Sequence, residues 1–224
     1  MNKSRSQAAV PVLVAAFLAA SNAAAAPNTT TFRETFDNGS NNGGWSYGNG
    51  FDIIRTTGGN PGAYLENTFL DTFAPQPSTV FGQSNQFSGD YRARQVLGVA
   101  VDLKTFSVDF STAGRPLSLL LKSDAGTPLA NDDCTIYFLG TKNIPVPGNP
   151  WTRFKFLIPA SSMVAPAGWD ILNGCPGLTR DEAWNEVITD VEQVTFFYGD
   201  PTFFFIFQVW DVGMDNPAIR TAIP

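Results

Sequence analysis

The sequence predicts an all-β protein, a jelly-roll β-sandwich of two antiparallel sheets with one short helix near residues 180–190. Short segments rich in β-branched and aromatic residues recur along the whole chain. Clusters of Gly, Pro and Asn, such as residues 58–62 and 145–150, separate most of these segments. One segment alone shows helical periodicity. Many short strands, regular turn clusters and a single helix are typical of a sandwich or jelly roll.

The first 26 residues predict a secretory signal peptide. Lys3 and Arg5 form a basic start, an apolar run follows from Ala8 to Ala20, and the segment ends in small residues up to Ala26. A membrane anchor is the alternative, but the run is shorter than the roughly 20 residues that a bilayer core needs. Residues 27–224 then have the length of a single β domain, expected to be secreted or periplasmic, with no membrane span after cleavage.

The charged residues exclude several classes of function. Removing Lys3 and Arg5 leaves 12 basic (14 − 2) and 20 acidic side chains, a net charge of −8. This excess disfavours nucleic acid as a partner because phosphate backbones are also anionic. The chain contains no histidine. A Ser-His-Asp triad is therefore excluded, and the commonest general base and zinc ligand are missing.

The strands before the helix are predicted from alternating or apolar segments bounded by turns. In chain order the candidates are residues 31–36, 51–56, 63–67, 91–96, 98–105, 106–110, 117–123, 135–140 and 151–158.

The helix and the last strands are predicted from residues 179–214. Thr179 and Glu182 form a capping box, and an apolar face follows from Ala183 to Val191. Residues 194–198 and 203–214 are expected to form a hairpin around the turn at residues 199–201. The second of these is apolar on both faces, so it is expected to be a covered, central strand. The side chains predicted to be buried are Phe106, Leu119, Leu121, Ile136, Phe138, Phe154, Phe156, Ile206, Trp210 and Val212.

Two cysteines, Cys134 and Cys175, predict one disulfide in an oxidising compartment. Two free buried thiols are the alternative, because pairing depends on a Cα separation that the sequence does not give.

Several segments between residues 80 and 216 resemble the laminin IV type A (laminin B) domain. Residues 87–91 lie before an early strand as in that family, and residues 135–139 and 151–158 are similar to its next strands. Residues 179–198 resemble its helix-to-strand passage, and Met214-Asp215-Asn216 resembles its closing turn. The two cysteines and the Phe203 to Phe207 run are not part of the family's pattern. The resemblance implies a jelly-roll sandwich close in shape to carbohydrate-binding modules, acting as an extracellular interaction or structural domain without catalytic residues.

Two sites are predicted. Glu34 and Asp37 lie at the end of the strand predicted for residues 31–36, and Asp215 and Asn216 end the last one, so these four residues are candidate ligands for a structural calcium ion. An exposed edge and a turn are the ordinary interpretation of the same residues. The second site is a glycan platform of aromatic residues near Gly- and Asn-rich loops. Its candidates are Trp45, Tyr47, Tyr64 and Trp169. Rings in such places also cap the ends of sandwiches.

The sequence therefore favours a secreted, non-catalytic β-sandwich that binds a glycan or another surface or matrix component, or that is structural. The alternative is a small secreted glycan hydrolase or lyase on the same fold, which needs two carboxylates facing one cleft. Glu66, Asp71, Asp102 and Asp109 are available acids, but their spacing does not mark a pair.

Overall fold

The computed structural model describes residues 28–39, 42–112, 114–124 and 133–223. The predicted signal peptide lies outside these residues. The strands within them are β1 (Thr29–Arg33), β2 (Trp45–Ser46), β3 (Asp52–Arg55), β4 (Tyr64–Thr72), β5 (Ser78–Thr79), β6 (Val96–Val108), β7 (Pro116–Lys122), β8 (Thr135–Asn143), β9 (Thr152–Leu157), β10 (Trp169–Asn173), β11 (Gln193–Phe197) and β12 (Gln208–Ala222). The helix α1 is Arg180–Thr189.

The strands form two antiparallel sheets. Sheet A has the order β3-β4-β12-β6-β9, with β1 also paired to β12, and sheet B has the order β10-β8-β7-β11-β5-β2. Every strand pair between these elements is antiparallel. The predicted jelly-roll β-sandwich is confirmed.

The core lies between the two sheets, and β6 shows how its residues divide. Val99, Val101 and Leu103 are buried in the core, whereas the alternate residues Ala100 and Lys104 are only partly buried. Successive side chains of a strand point to opposite faces, so Ala100 and Lys104 lie on the other face of sheet A. We call this face, turned away from the core, the outer face of sheet A.

Most of the predicted core is confirmed. The predicted side chains that are buried are Leu119, Leu121, Ile136, Phe154, Phe156, Trp210 and Val212. Phe138 is partly buried and packs beside the core, 5.7 Å from Trp169 between ring centroids. Phe106 is also partly buried, but it belongs to the outer face of sheet A. The prediction for Ile206 is wrong, since 53% of this residue is exposed.

The predicted helix and its cap are confirmed. The Thr179 side chain accepts a hydrogen bond from the Glu182 amide, and the Glu182 carboxylate accepts one from the Thr179 amide at 2.8 Å. Trp184 is fully buried, with its ring centroid 5.2 Å from that of Trp169 in β10. The helix therefore packs on sheet B through its predicted apolar face.

The predicted hairpin after the helix is wrong. Strand β11 pairs with β7 and β5 in sheet B, whereas β12 pairs with β4 and β6 in sheet A. Residues 198–207 connect the two sheets, which are about 10 Å apart in a sandwich, so a ten-residue segment spans the gap. The turn predicted at Gly199-Asp200-Pro201 is present, with the Phe203 amide donating to the Asp200 carbonyl. The chain after this turn continues to sheet A and does not return along β11.

The phenylalanine run at residues 203–207 is not a strand and is not covered. Phe203, Phe204 and Phe207 are exposed, Phe204 by 85%. Phe205 alone is partly buried, beneath the guanidinium of Arg115 at 4.3 Å from its ring centroid. Strand β12 starts at Gln208, and its buried apolar residues follow from Trp210 onward.

Two earlier segments also differ from the predictions. Residues 91–95 form a turn rather than a strand, because the Asp90 carboxylate accepts from the Ala93 amide and the Arg94 amide donates to the Asp90 carbonyl. The two strands predicted for residues 98–105 and 106–110 are one long strand, β6.

The predicted disulfide joins Cys134, just before β8, to Cys175, just after β10. The bond links the start of β8 to the end of β10, its neighbour in sheet B. Within the described residues, no helix is long and apolar enough to cross a membrane.

Candidate functional site

Three aromatic rings meet on the outer face of sheet A, and we call them the aromatic platform: Tyr64 of β4, Phe106 of β6 and Trp151 just before β9. Their ring centroids lie 5.2 to 6.2 Å apart. They converge on Gly213 of β12, where a Cβ atom would lie 2.8 Å from the Trp151 ring and 2.9 Å from the Phe106 ring. The rings can lie this close to the sheet because Gly213 has no side chain.

Hydrogen bonds and a cation hold the platform in place. Trp151 Nε1 donates to the Gly58 carbonyl at 2.9 Å, and the Tyr64 hydroxyl donates to Glu66 Oε1 at 2.9 Å. Lys104 Nζ lies 4.9 Å from the centroid of the Phe106 ring. Tyr64 is buried beneath the other two rings, while Phe106 and Trp151 are partly exposed. The platform therefore presents parts of two rings to solvent.

Charged groups border the platform on the β3 and β4 side. Arg55 forms an ion pair with Glu66, which stands opposite Gly213 in the pairing of β4 with β12. Burial raises the pKa of the nearby Asp211, and the negative charge of Glu66 raises it further. A hydrolase needs two carboxylates that face one cleft, and Asp211 lies on the same face as Glu66, two positions before Gly213 along β12. Glu66 is, however, already engaged by Arg55 and Tyr64.

The sequence named four candidate ligand-binding aromatic residues, and one of them, Tyr64, belongs to the platform. The Trp45 ring is fully buried and stacks on Phe196 at 5.5 Å between centroids. Trp169 is buried against Trp184. Both rings lie in the core, so we do not include them in a binding site.

Tyr47 is also buried, but it lines a separate cavity of about 430 Å³. The polar side chains of this cavity are hydroxyls and amides, and no charged residue lines it. They are Ser46, Thr72, Gln76, Ser78, Thr79 and Gln193. We call it the Tyr47 cavity, and its lining suits an uncharged polar molecule.

The candidate calcium ligands are brought partly together. Asp215 accepts a hydrogen bond from the Asn60 amide, within the loop at residues 58–62. Asp37 Oδ1 accepts one from the amide of Ala63, the residue that follows this loop, at 3.3 Å. Burial raises the pKa of Asp215 to about 6, and the charges of Asp102 and Asp37 add to this effect. The Glu34 carboxylate instead accepts from the Phe36 amide at 2.9 Å.

The fourth candidate, Asn216, donates through its amide group to the Asn60 carbonyl and to Asp102. An amide nitrogen facing these oxygens does not serve as a calcium ligand. Within the described residues, no group of three or more His, Cys, Asp or Glu side chains is arranged to hold a metal ion. Calcium binding at this place stays a prediction.

Phe106 and Trp151 were missed as site residues by the sequence. Phe106 was placed in the core because it is apolar, although strand alternation puts it on the same face as Lys104. The sequence pattern predicts Trp151 only as the first residue of a strand. The convergence of both rings on Gly213 depends on the order of β4, β12 and β6 in the sheet, which no local signal contains.

No protein-family model matches this sequence, and no match was found among curated proteins. Solved structures with a similar fold were found. The family 11 carbohydrate-binding module of a cellulosomal cellulase of Clostridium thermocellum is 10% identical with a TM-score of 0.45, over 89% of this chain and 90% of that one. A family 11 module from the same organism, in complex with a β-1,3-1,4-mixed-linked tetrasaccharide, is 10% identical with a TM-score of 0.41, over 88% and 90%.

The L4b domain of human laminin alpha-2 is similar as well, with 14% identity and a TM-score of 0.35, over 81% of this chain and 85% of that domain. The chain is thus similar in fold to carbohydrate-binding modules and to a laminin domain, the resemblance expected from the sequence. Similarity at these values describes the overall shape, and it transfers no binding residue to this chain.

Proposed function

We propose that this protein is an exported, non-catalytic module that binds a glycan on the outer face of sheet A. The observation that carries the proposal is the aromatic platform of Tyr64, Phe106 and Trp151 over Gly213. The Cys134–Cys175 disulfide supports export, since such bonds form and persist in oxidising compartments.

The platform has the two properties that a sugar ring needs. The partly exposed rings of Phe106 and Trp151 offer apolar faces, which pack against the C–H face of a pyranose. Arg55 and Lys104 stand at its border and supply donors for the oxygen atoms of hydroxyl groups. The site is shallow, so we expect it to contact the side of a polysaccharide strand rather than to enclose a free sugar.

The test is affinity gel electrophoresis of the mature protein in gels containing polysaccharides, both neutral ones such as β-glucan and xylan and the acidic polygalacturonate. We expect retardation of the unmodified protein and its loss in Trp151→Ala. Phe204→Ala is the matched control, because it removes another exposed ring that has no described ring contact with the platform. Retardation that persists in Trp151→Ala contradicts glycan binding at the platform. Loss of retardation in Gln193→Ala would instead place the binding site in the Tyr47 cavity.

A hydrolase or lyase is the second candidate, favoured by the neighbouring carboxylates of Glu66 and Asp211 on the same face. It predicts release of reducing ends or unsaturated ends from a bound polysaccharide. That release should disappear in both Glu66→Gln and Asp211→Asn. Binding without any such release supports the non-catalytic module.

A further inference from the structure

A groove lined by cationic side chains crosses the outer face of sheet A at the end away from the platform. Four residues form one row across four strands: Arg33 of β1, Ala218 of β12, Ala100 of β6 and Lys155 of β9 are successive cross-strand partners. Arg33 and Lys155 are thus three strand spacings, or about 14 Å, apart along the row. We call this region the basic groove, and its cavity has a volume of about 230 Å³.

Small residues form the floor of the basic groove. Ala100 and Ala218 end at Cβ, and Gly98 lies in the next row opposite Arg220. Gly98 and Ala100 therefore leave space above the outer face of β6, whereas Asp102, the next residue on this face, binds Arg153. Long side chains stand on both sides of a shallow floor, which is the shape of an open groove rather than a closed pocket.

The cations of the basic groove are poorly compensated by acids. Within the described residues, Arg153 pairs with Asp102 at 3.3 Å and donates to the Asn216 carbonyl at 2.8 Å. No described carboxylate pairs with Arg33, Lys155 or Arg220, and none lines the groove. These three side chains are exposed. The chain as a whole is acidic, but the groove is a local region of positive charge, and such a region attracts anions.

We infer that the basic groove binds a carboxylate-bearing polysaccharide, which makes the glycan of the proposed function an acidic one. The inference rests on that function, because the groove and the platform share one face of sheet A. Arginine presents a planar fork of donors that matches a carboxylate, and two of the exposed cations are arginines. The cations are spread over about 14 Å, which suits a ligand whose negative charges are distributed along an extended polysaccharide chain. The overall negative charge of the protein disfavours the more densely charged phosphate polymers.

The platform and the groove are separated, so each can be inactivated without the other. The loop at residues 58–62 lies between them: its Gly58 carbonyl accepts from Trp151, and its Asn60 amide donates to Asp215. No contact is described between Trp151 and the exposed cations of the groove. A groove variant and a platform variant therefore test different parts of the surface.

The experiment measures the affinity of the mature protein for polygalacturonate by isothermal titration calorimetry at low and moderate salt. Highly methyl-esterified polygalacturonate is the matched ligand, since it keeps the sugar backbone and loses the charges. We expect binding to the charged polymer to be weakened at least about tenfold by Lys155→Glu and by Arg220→Glu. Arg180→Glu is the control, because it changes the net charge equally at an exposed site on the helix. Salt should weaken the binding of the unmodified protein.

The outcomes separate this inference from the proposed function. Loss of polygalacturonate binding in Lys155→Glu but not in Trp151→Ala supports an acidic-glycan groove even if the platform fails. Equal weakening by Arg180→Glu, equal affinity for the esterified polymer, or no binding at low salt overturns the inference. Tighter binding of phosphatidylglycerol vesicles or of a single-stranded oligonucleotide, lost in Lys155→Glu, overturns the assignment to a glycan.

Discussion

At the scale of single residues, Gly213 decides the shape of the candidate site. Three rings from different parts of the chain occupy the space that a side chain at this position would need. The backbone itself does not require glycine here, since Gly213 lies within a regular stretch of β12. Glycine is required because of what packs above the strand.

We expect Gly213→Ala to displace the Trp151 and Phe106 rings and to destabilise the protein by about 1–3 kcal/mol, the usual cost of overpacking. Glycan retardation should weaken as the rings move. Chemical denaturation measures the change, and Trp151→Ala/Gly213→Ala is the control. Removing the Trp151 ring should relieve part of the penalty, because Phe106 remains as close a neighbour. An undiminished cost of Gly213→Ala in that background contradicts the proposed contact.

Asp211, like Asp215, is a residue through which we expect pH to act on stability. Burial first, and Glu66 second, raise the pKa of this carboxyl above its ordinary value of 3.8, and its Oδ1 is buried without a hydrogen-bond partner in the described residues. A pKa that is raised in the folded state favours folding below pH 3.8, and this contribution is lost as the pH rises through the folded-state pKa.

Asp211→Asn should therefore raise the melting temperature at pH 8 by a few degrees and leave it nearly unchanged at pH 3.5. Thermal denaturation across this pH range, followed by circular dichroism, measures the difference. Asp71→Asn is the control, since Asp71 is an exposed acid on β4, the strand that pairs with β12. An equal shift at both pH values would mean that the ionised carboxylate of Asp211 is not the cause.

At the scale of elements, the segment before β12 shows that apolar composition and burial are different properties. Residues 203–207 are the most phenylalanine-rich part of the chain, yet they connect the two sheets and leave Phe203, Phe204 and Phe207 exposed. The architecture does not depend on covering them. It depends on Trp210, Val212 and Met214, which are fully buried.

This difference gives a direct prediction. Phe204→Ser should change the free energy of unfolding by less than about 0.5 kcal/mol, as for surface substitutions in general. Trp210→Ala should cost about 3–5 kcal/mol, because it removes a large ring from the core. Urea denaturation of the two variants measures both values. A large loss of stability in Phe204→Ser would show that the run is covered in solution.

At the scale of the whole molecule, the candidate calcium region joins distant parts of the chain. Asp37 follows β1, the loop at residues 58–62 precedes β4, and Asp215 lies in β12. These contacts tie the start of the domain to its last strand. The predicted ion would act at this junction, by reducing the repulsion between Asp215, Asp102 and Asp37.

Calcium binding predicts a higher melting temperature in calcium than in a chelator, because a ligand of the folded state alone stabilises it. Asp37→Ala should remove this difference, and magnesium should not reproduce it. Differential scanning calorimetry of the mature protein supplies the measurement. Equal melting temperatures in calcium and chelator exclude the site, and the contacts of the loop at residues 58–62 then account for the junction alone.

The features that depend on neighbouring residues follow from the sequence alone. These are the strands with their turn clusters, the capping box at Thr179 and Glu182, the apolar face of α1, and the presence of two cysteines able to pair. Each arises from backbone preferences or side-chain spacing over a few residues, and together they were enough for the fold class.

Which strands are neighbours emerges only in the folded molecule, and the candidate site depends on that arrangement. The order β4-β12-β6-β9 brings Tyr64, Phe106 and Trp151 over Gly213 and sets Arg33 in line with Lys155. In the same arrangement β12 belongs to sheet A and β11 to sheet B, and the phenylalanine run between them is exposed to solvent. Pairing across a hundred residues is fixed by the joint packing of two sheets, and no short stretch of sequence contains that information.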